Sequence, residues 1–286
     1  MSAITRPGLA PAQGAPAPAP MTPAPATIAG PVTQARVVRA EWTKLRALRS
    51  TRWSALTAIV LIVGLGAAIA GSGTPYHVSA GSPATTAVSS VLLGLLFAQL
   101  VVGLVGVLAF SGEYGTGMIR ATLAVVPSRL PVLWAKLIVL AGLVLPVTLL
   151  CTVADFFTAT ALNSARGGSA ISLTDPGVLR EVVGSSLYLT VVVIIALALG
   201  ALLRKTAAGL SVFAAVFFVI PIVVNALPHK LTGFAPYLPS NAGGALWGDP
   251  LSTAHALGPW AGFACLCGYA VAATGLAAWR LRRRDA

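Results

Sequence analysis

Few side chains in this chain are suited to chemistry: three histidines, three cysteines and seven acidic residues among 286. The first two groups are His77, His229, His255, Cys151, Cys265 and Cys267. The histidines lack the short spacing that zinc ligands on one element show. Cys265 and Cys267, two apart on a predicted helix, point to nearly opposite faces, so neither a disulfide nor a metal site follows. We therefore expect no metal and no cofactor.

The patterns of common enzymes are also missing. The sequence has no cluster of Ser, His and Asp, no HExxH and no carboxylate pair within one membrane leaflet. It contains no Gly-Lys dipeptide, which the phosphate-binding loop of an ATPase requires. We expect no catalytic residues, and if the protein moves a solute uphill, another subunit must supply the energy.

One polar stretch, "SGEYGTGMIRATLAVVPSR" at 111–129, separates two long apolar runs. Thr116 can cap a short helix in which Ile119 and Leu123 share an apolar stripe. Pro127 cannot continue that helix. The stretch therefore predicts a short amphipathic helix beside the membrane.

Glycines and charges in the same stretch favour docking of a partner. Gly115 and Gly117 would provide the tight reversal out of the preceding apolar run, since glycine reaches backbone angles that other residues avoid. Glu113 and Arg120 are expected near the surface, where charges set register with a partner more than they add affinity. The alternative is a plain loop that only supplies positive charge, but such a loop has no use for a capped helix.

Composition indicates a membrane protein. Hydrophobic residues make up 57% of the chain and charged residues 9%, whereas a soluble domain carries about 25% charged residues. Six apolar stretches approach or exceed the roughly 18 residues that span a bilayer. They cover about 53–71, 88–110, 137–159, 182–203, 206–227 and 257–279. We therefore predict an all-α integral membrane bundle over 35–286, preceded by a disordered Pro/Ala-rich tail over 1–34.

Positive charge alternates between successive loops. Basic residues cluster before the first span, between the second and third, between the fourth and fifth, and after the sixth. By the positive-inside rule, both termini and the 111–129 loop then face the cytoplasm. The net charge of +12 therefore reflects topology. Nucleic acid is not an expected partner, because its binding needs a basic face on a soluble module.

A basic segment precedes the first span. Residues 35–50, "ARVVRAEWTKLRALRS", place apolar side chains on one arc of a helix and arginines opposite. We predict an interfacial elbow helix along the inner membrane surface, with Trp42, Lys44 and Arg46 among its interfacial residues. Its basic face would meet anionic membrane lipids or a partner. The alternative is a plain basic anchor that fixes topology.

The segment between the last two spans, 228–256, is long and rich in Pro, Gly and aromatic residues. Phe234, Tyr237 and Trp247 suit a membrane interface, so the segment is interpreted as a partly re-entrant cap. A flexible exterior loop is the alternative, which length alone does not separate from it.

Within the spans, sequence predicts kinks and close helix packing. Pro146 and Pro221 are the expected kinks. Small residues that would let helices approach closely are paired as Gly103 with Gly106, Ala196 with Gly200, and Gly258 with Gly262. These features indicate a packed bundle and do not by themselves indicate a transporter.

Polar groups inside the spans are sparse. Ion-coupled transporters usually keep ionisable residues near the bilayer midplane. Counted from Lys136 at the inner edge, Asp155 lies about 28 Å along the helix, near the outer boundary. Ion coupling is therefore disfavoured. The residues left to line a possible substrate path are Gln99, Ser185, Ser186, Thr190 and Asn225.

The order of these features resembles the permease subunit of a type 2 ABC exporter over roughly 35–286. The most specific part is "EYGTGMIRATLAVVPSR" followed by "LPVLWAK", similar to the Glu, Gly-Thr, Arg, Leu, Pro, Ser-Arg and Ala-Lys pattern after the second span of these permeases. "EWTKLRALRSTRW" is similar to their basic entry segment, and "YLPSNAGGALW" to their exterior loop before the last span.

The resemblance implies a coupling helix, between spans two and three, that docks on a separate ABC ATP-binding subunit. The positions matching the family's docking pattern are Glu113, Gly115, Thr116, Arg120 and Arg129. It also implies a dimer with a second permease copy or a related permease, which passes a hydrophobic or amphipathic drug, antibiotic, lipid or peptide outward across a bacterial plasma membrane. The alternative function is a non-transporting membrane anchor or sensor that recruits a cytoplasmic partner.

Overall fold

A computed structural model describes residues 33–47, 49–72, 88, 92–119, 129–227, 233–248 and 257–283. Several predictions concern residues outside these ranges. They include the Pro/Ala-rich tail up to 32, the three histidines, Arg120 and most of the predicted coupling helix, and both ends of the 228–256 segment. The side chain of Asn225 is also outside the description.

The described residues are mostly helical, with turns and short connections between the helices, and contain no strand. Six of their helices are long and apolar enough to cross a membrane, which indicates a multi-pass membrane protein. Helices 1 to 6 are Arg52–Ser72, Gly94–Gly115, Arg129–Ala165, Val178–Leu203, Thr206–Val224 and Pro259–Arg283. Each predicted span overlaps one of them. The largest difference is at helix 3, which begins at Arg129 instead of near 137.

Shorter helices complete the described fold. They are the N-terminal helix, Gln34–Ala47, a 3₁₀ turn at Ala235–Tyr237, and the short helix Pro239–Trp247. The N-terminal helix begins at Gln34, within the segment predicted as a tail.

Two of the long helices contain a widened turn. In helix 1 the turn is Val60–Gly64, and in helix 5 it is Ala215–Val219. Pro221 lies two residues after the second turn, and local widening of this kind often accompanies a proline, which has no amide hydrogen to donate. Helix 3, by contrast, stays α-helical through Pro146.

Helix 4 is the centre of the bundle. It is the most buried of the six and contacts helices 2, 3, 5 and 6. A methyl group added at Gly200 would lie 2.5 Å from the carbonyl oxygen of Val107 in helix 2, and one added at Gly106 would lie 2.7 Å from the Ala196 methyl. Small residues therefore permit the close contact between helices 2 and 4.

The other predicted small-residue pairs are partly confirmed. Gly103 packs against the ring of Phe213, and Gly262 packs against the backbone carbonyl of Ala242. Gly258 is different, because a methyl group there would meet no described atom within 4 Å.

The described part of the 228–256 segment is packed on the bundle. The short helix Pro239–Trp247 contacts helices 4 and 6, and nearly all of its residues are buried. Phe234 and Tyr237 are half exposed, but Trp247 is fully buried, so its ring packs inside the protein instead of facing its surroundings. Its ring packs 6.2 Å from that of Tyr188, centroid to centroid. This packing favours the cap over the flexible loop.

Candidate functional site

The N-terminal helix packs on the beginning of helix 3. The side-chain amide of Gln34 donates to the carbonyl oxygen of Pro131 at 3.1 Å. Val37 is buried against Val132. Glu41 lies one turn after Val37, on the same face, because residues four apart lie above one another on a helix. This packing brings an acidic side chain against helix 3.

Four charged side chains meet there and form what we call the ion cluster: Glu41, Lys44, Glu113 and Lys136. The ammonium of Lys136 donates to Glu41 Oε2 at 2.7 Å and to Glu113 Oε1 at 2.8 Å. The ammonium of Lys44 donates to Glu41 Oε1 at 2.8 Å and to Glu113 Oε1 at 3.2 Å. The cluster therefore joins the N-terminal helix to the end of helix 2 and the beginning of helix 3.

The ion cluster is buried and its charges balance. Glu41 is 3% exposed, and Glu113 and Lys136 are each 5% exposed. The Lys44 side chain, at 33%, is the most accessible member. Burying an isolated charge costs several kcal/mol, and pairing offsets that cost only while every partner is present. The four groups therefore specify one arrangement of the three helices.

These contacts shift the pKa values of Glu41 and Lys44. Burial raises the pKa of the Glu41 carboxyl, but the charges and hydrogen bonds of Lys136 and Lys44 outweigh burial and hold it below its usual 4.5. Burial lowers the pKa of the Lys44 ammonium, but Glu41 and Glu113 outweigh that effect and hold it above its usual 10.5. Both groups are therefore charged at neutral pH.

A cavity of about 270 Å³ lies beside the ion cluster. Its polar lining comes from the cluster and from Ser50, Ser54 and Thr116. Its apolar lining is Leu45, Val105, Leu108, Ala109, Met118 and Leu140. A second cavity of about 50 Å³ shares Ser54 and Val105 with the first and continues along helices 1, 2 and 3 to Thr148. Together they form a cleft that is polar at one end and apolar along its length.

The structure changes the expectation for part of the predicted docking stretch. Glu113, expected near the surface, is buried in the ion cluster. Gly115 is the last residue of helix 2, and the hydroxyl of Thr116 donates to the Gly112 carbonyl oxygen at 3.0 Å, closing that helix. Gly117 provides the reversal, with a φ of 71° that favours glycine. Arg129 is the first residue of helix 3.

The predicted interfacial residues divide into two groups. Trp42 is 38% exposed, and the Arg46 guanidinium lies 5.8 Å from the centre of its ring. Lys44, on the other side, turns toward Glu41 and Glu113. The N-terminal helix therefore has one buried ionic face and one accessible face with Trp and Arg.

The four described candidates for a substrate path lie between helices. The hydroxyl of Tyr188 donates to Gln99 Oε1, which joins helices 4 and 2. Ser186 shares a 3.1 Å hydrogen bond with Thr152 of helix 3. The hydroxyls of Ser185 and Thr190 donate to carbonyl oxygens of helix 4 itself. All four are buried. None of them lines either of the two cavities described above.

Sequence reasoning gave Glu41 no role of its own, and it used Lys136 as a topology signal and as the end of the Ala-Lys motif, not as a buried ion-pair partner. A usable signal existed for Glu41, which is the one acidic residue of the N-terminal helix and lies on its apolar side, four residues after Val37. The burial of Lys136 could not be predicted without knowing that helix 3 begins at Arg129, because this early beginning places the ammonium inside the fold.

Asp155 is an acidic residue of helix 3 that the sequence predicts near an outer membrane boundary. Its carboxylate is fully buried against Gly66 of helix 1. Neither oxygen has a hydrogen-bond partner among the described residues. An intramembrane acid of this kind is usually functional or costly to the fold.

Comparison with known proteins adds no relative. No protein-family model matches the sequence, and a search of curated proteins finds no match. The function must therefore be argued from the residues and contacts of this multi-pass helical bundle.

Proposed function

We propose that the chain is the permease subunit of an ATP-driven ABC exporter, in which a separate subunit hydrolyses ATP. The ion cluster carries the proposal. It links the N-terminal helix to the two helices that flank residues 116–128, the segment whose motif resembles a coupling helix. A force on that segment would reach helices 2 and 3 and the N-terminal helix together, because the buried pairs hold all three in register.

Exposure at the end of helix 2 supports docking at this place. Residues 115–118 are exposed, although Glu113 two residues before them is buried and Ile119 after them is buried again. A partner could thus contact residues 115–118 while the ion cluster fixes the end of helix 2. In the proposed topology both termini and this segment face the cytoplasm, as the distribution of basic residues indicates.

The least buried long helices support assembly with a second permease. Helices 1, 5 and 6 are less buried than helices 2, 3 and 4. They expose large apolar side chains, including Ile222 of helix 5 and Val271 of helix 6. Lipids and a second copy, or a related permease, would share these faces, and a hydrophobic or amphipathic substrate would pass between the two permeases.

The test is purification of the tagged chain from its own cells, with identification of co-purifying proteins by mass spectrometry. An ATP-binding subunit should co-purify, and ATP hydrolysis by the complex should require both chains. Arg120→Glu should weaken the pairing while membrane insertion stays intact, because it reverses a charge in the proposed docking segment. Arg282→Glu is the control, since it makes the same charge change in the last turn of helix 6, outside the proposed docking segment.

Two results would contradict the proposal. The first is transport of a lipophilic fluorescent dye into vesicles by the purified chain alone, without nucleotide. The second is labelling of a cysteine at position 116 from outside intact cells, which would place the docking segment on the wrong side. Co-purification of a kinase or regulator and no ATP-binding subunit would instead favour the membrane anchor or sensor.

A further inference from the structure

The larger cavity beside the ion cluster contains an unused hydrogen-bond acceptor. Both lysines of the cluster donate to Oε1 of Glu113. Its other oxygen, Oε2, is buried and accepts no hydrogen bond from any residue that the structure describes. Glu113 lines the cavity and is 5% exposed. A buried carboxylate oxygen without a donor is costly, so a ligand that supplies a donor there gains that interaction.

Apart from the ion cluster and the hydroxyls of Ser50, Ser54 and Thr116, the cavity is lined by apolar residues. Val105 and Leu108 of helix 2 face Leu140 of helix 3 and Leu45 of the N-terminal helix across it. The adjoining smaller cavity extends this lining along helices 1, 2 and 3. Leu108, which lines the cavity, is 40% exposed, so the cavity opens at the surface of helix 2. An alkyl chain could therefore enter from the membrane.

We propose that this cleft binds an uncharged single-chain amphiphile whose hydroxyl head group donates to Glu113 Oε2. Its chain would lie along Leu108 and Val105. The inference goes beyond the proposed exporter function and does not depend on it, because binding to the chain alone requires neither ATP nor a partner.

Charge balance selects an uncharged head group. The cluster has two carboxylates and two ammonium groups, so an added ion would remain unbalanced. A cationic head would approach Lys44, which also lines the cavity, and an anionic head would approach Glu113. A hydroxyl supplies the missing donor without net charge, and it can also accept a hydrogen bond from Ser50 or Ser54.

The volume of the cavity favours a ligand with one alkyl chain. The cavity of about 270 Å³ lies near the lower end of ligand pockets, which span roughly 300–1,000 Å³. A phospholipid with two acyl chains exceeds this space. A fatty alcohol fits this volume and supplies one hydroxyl donor at its polar end.

The experiment uses the full chain in phosphatidylcholine nanodiscs and a dodecanol probe that carries a diazirine on its alkyl chain. Photolabelling should map to residues that line the cleft, near Leu108 and Leu140. Unlabelled 1-dodecanol should compete, whereas dodecyl methyl ether, which has the same chain but no donor, should compete about tenfold less well. Dodecanoate and dodecyltrimethylammonium should also compete poorly.

A matched pair of variants tests the location. Leu108→Trp fills the cavity and should reduce labelling about tenfold. Leu100→Trp changes a residue of the same helix with similar exposure, 43%, that is outside the lining, and should leave labelling unchanged. Thermal unfolding of both variants checks that each is folded, and Val105→Trp is a second filling variant if Leu108→Trp is not.

Three results would overturn the inference. Equal competition by the ether would show that no donor is required. Equal labelling of the two tryptophan variants would place the probe elsewhere on the bundle. Absence of labelling in phosphatidylcholine nanodiscs would show that the bulk phospholipid or nothing at all occupies the cleft.

Discussion

The ammonium of Lys136 lies 2.7 Å from a carboxylate oxygen of Glu41, although 95 residues separate the two in the chain. Both side chains are almost completely buried. Their contact fastens the N-terminal helix to helix 3, and Glu113 adds the end of helix 2 through the same ammonium. Charged residues near the ends of spans, which sequence reads as topology signals, are here part of the packing between helices.

Replacing Lys136 should destabilise the fold strongly. Lys136→Met leaves two buried carboxylates to share Lys44, and breaking a buried pair by removing one partner typically costs about 3–5 kcal/mol. Thermal unfolding in detergent measures this change. Lys205→Met is the matched control, because Lys205 is exposed and should change stability by less than about 0.5 kcal/mol. Equal effects of the two substitutions would show that the ion cluster does not hold the helices.

The contribution of Glu41 should depend on pH in a defined direction. Its pKa is lower in the fold than its usual 4.5, so its ionisation stabilises the fold fully above pH 4.5 and less as pH falls through the lowered value. The pKa of Lys44 is higher than its usual 10.5, so its contribution is complete below pH 10.5 and is lost as pH rises through the raised value. Between those limits the stabilisation should be constant.

Comparison with Glu41→Gln isolates that effect from other titrating groups. The difference in unfolding temperature between the original chain and the variant should be flat from pH 4.5 to pH 10.5. It should shrink on the acid side of this window, where protonated Glu41 and glutamine become similar. A difference that grew with acid would contradict the assigned ion pairs.

Close packing of helices 2 and 4 should be sensitive to one methyl group. Gly200→Ala places a methyl 2.5 Å from the Val107 carbonyl oxygen, so the helices must separate, at a cost of about 1–3 kcal/mol. Gly268→Ala in helix 6 is the control, since its methyl meets no described atom within 4 Å. It should be neutral or stabilising by about 0.5–1 kcal/mol. Unfolding temperatures that rank the two variants in the opposite order would refute the observed contact.

The buried hydrogen bond from Tyr188 to Gln99 should contribute more to stability than an exposed tyrosine hydroxyl. Tyr188→Phe removes the donor and leaves a buried amide oxygen without it, which costs about 1–3 kcal/mol. Tyr237→Phe alters a half-exposed tyrosine and should change stability little. The free energy of unfolding in denaturant measures both, and a negligible effect at Tyr188 would mean that water replaces the bond.

Several local features followed from sequence. Gly117 adopts the positive φ expected at a reversal, while Gly115 stays helical because helix 2 continues to that residue. Gly106 and Ala196 pack closely, as expected of small residues between two helices, but a methyl group at Gly258 would meet no described atom within 4 Å. Sequence identifies a residue that could permit close approach. It does not identify the partner, since that depends on which helices become neighbours.

Sequence by itself determined the six membrane-length helices, because the length and polarity of an apolar run are local properties that the bilayer thickness makes decisive. Tertiary structure alone decided that Glu41, Lys44, Glu113 and Lys136 form one buried cluster beside an amphipathic cleft. The physical reason is that pairing across 95 residues depends on how whole helices pack. A charge has the same sequence signature whether it faces headgroups or a partner inside the fold.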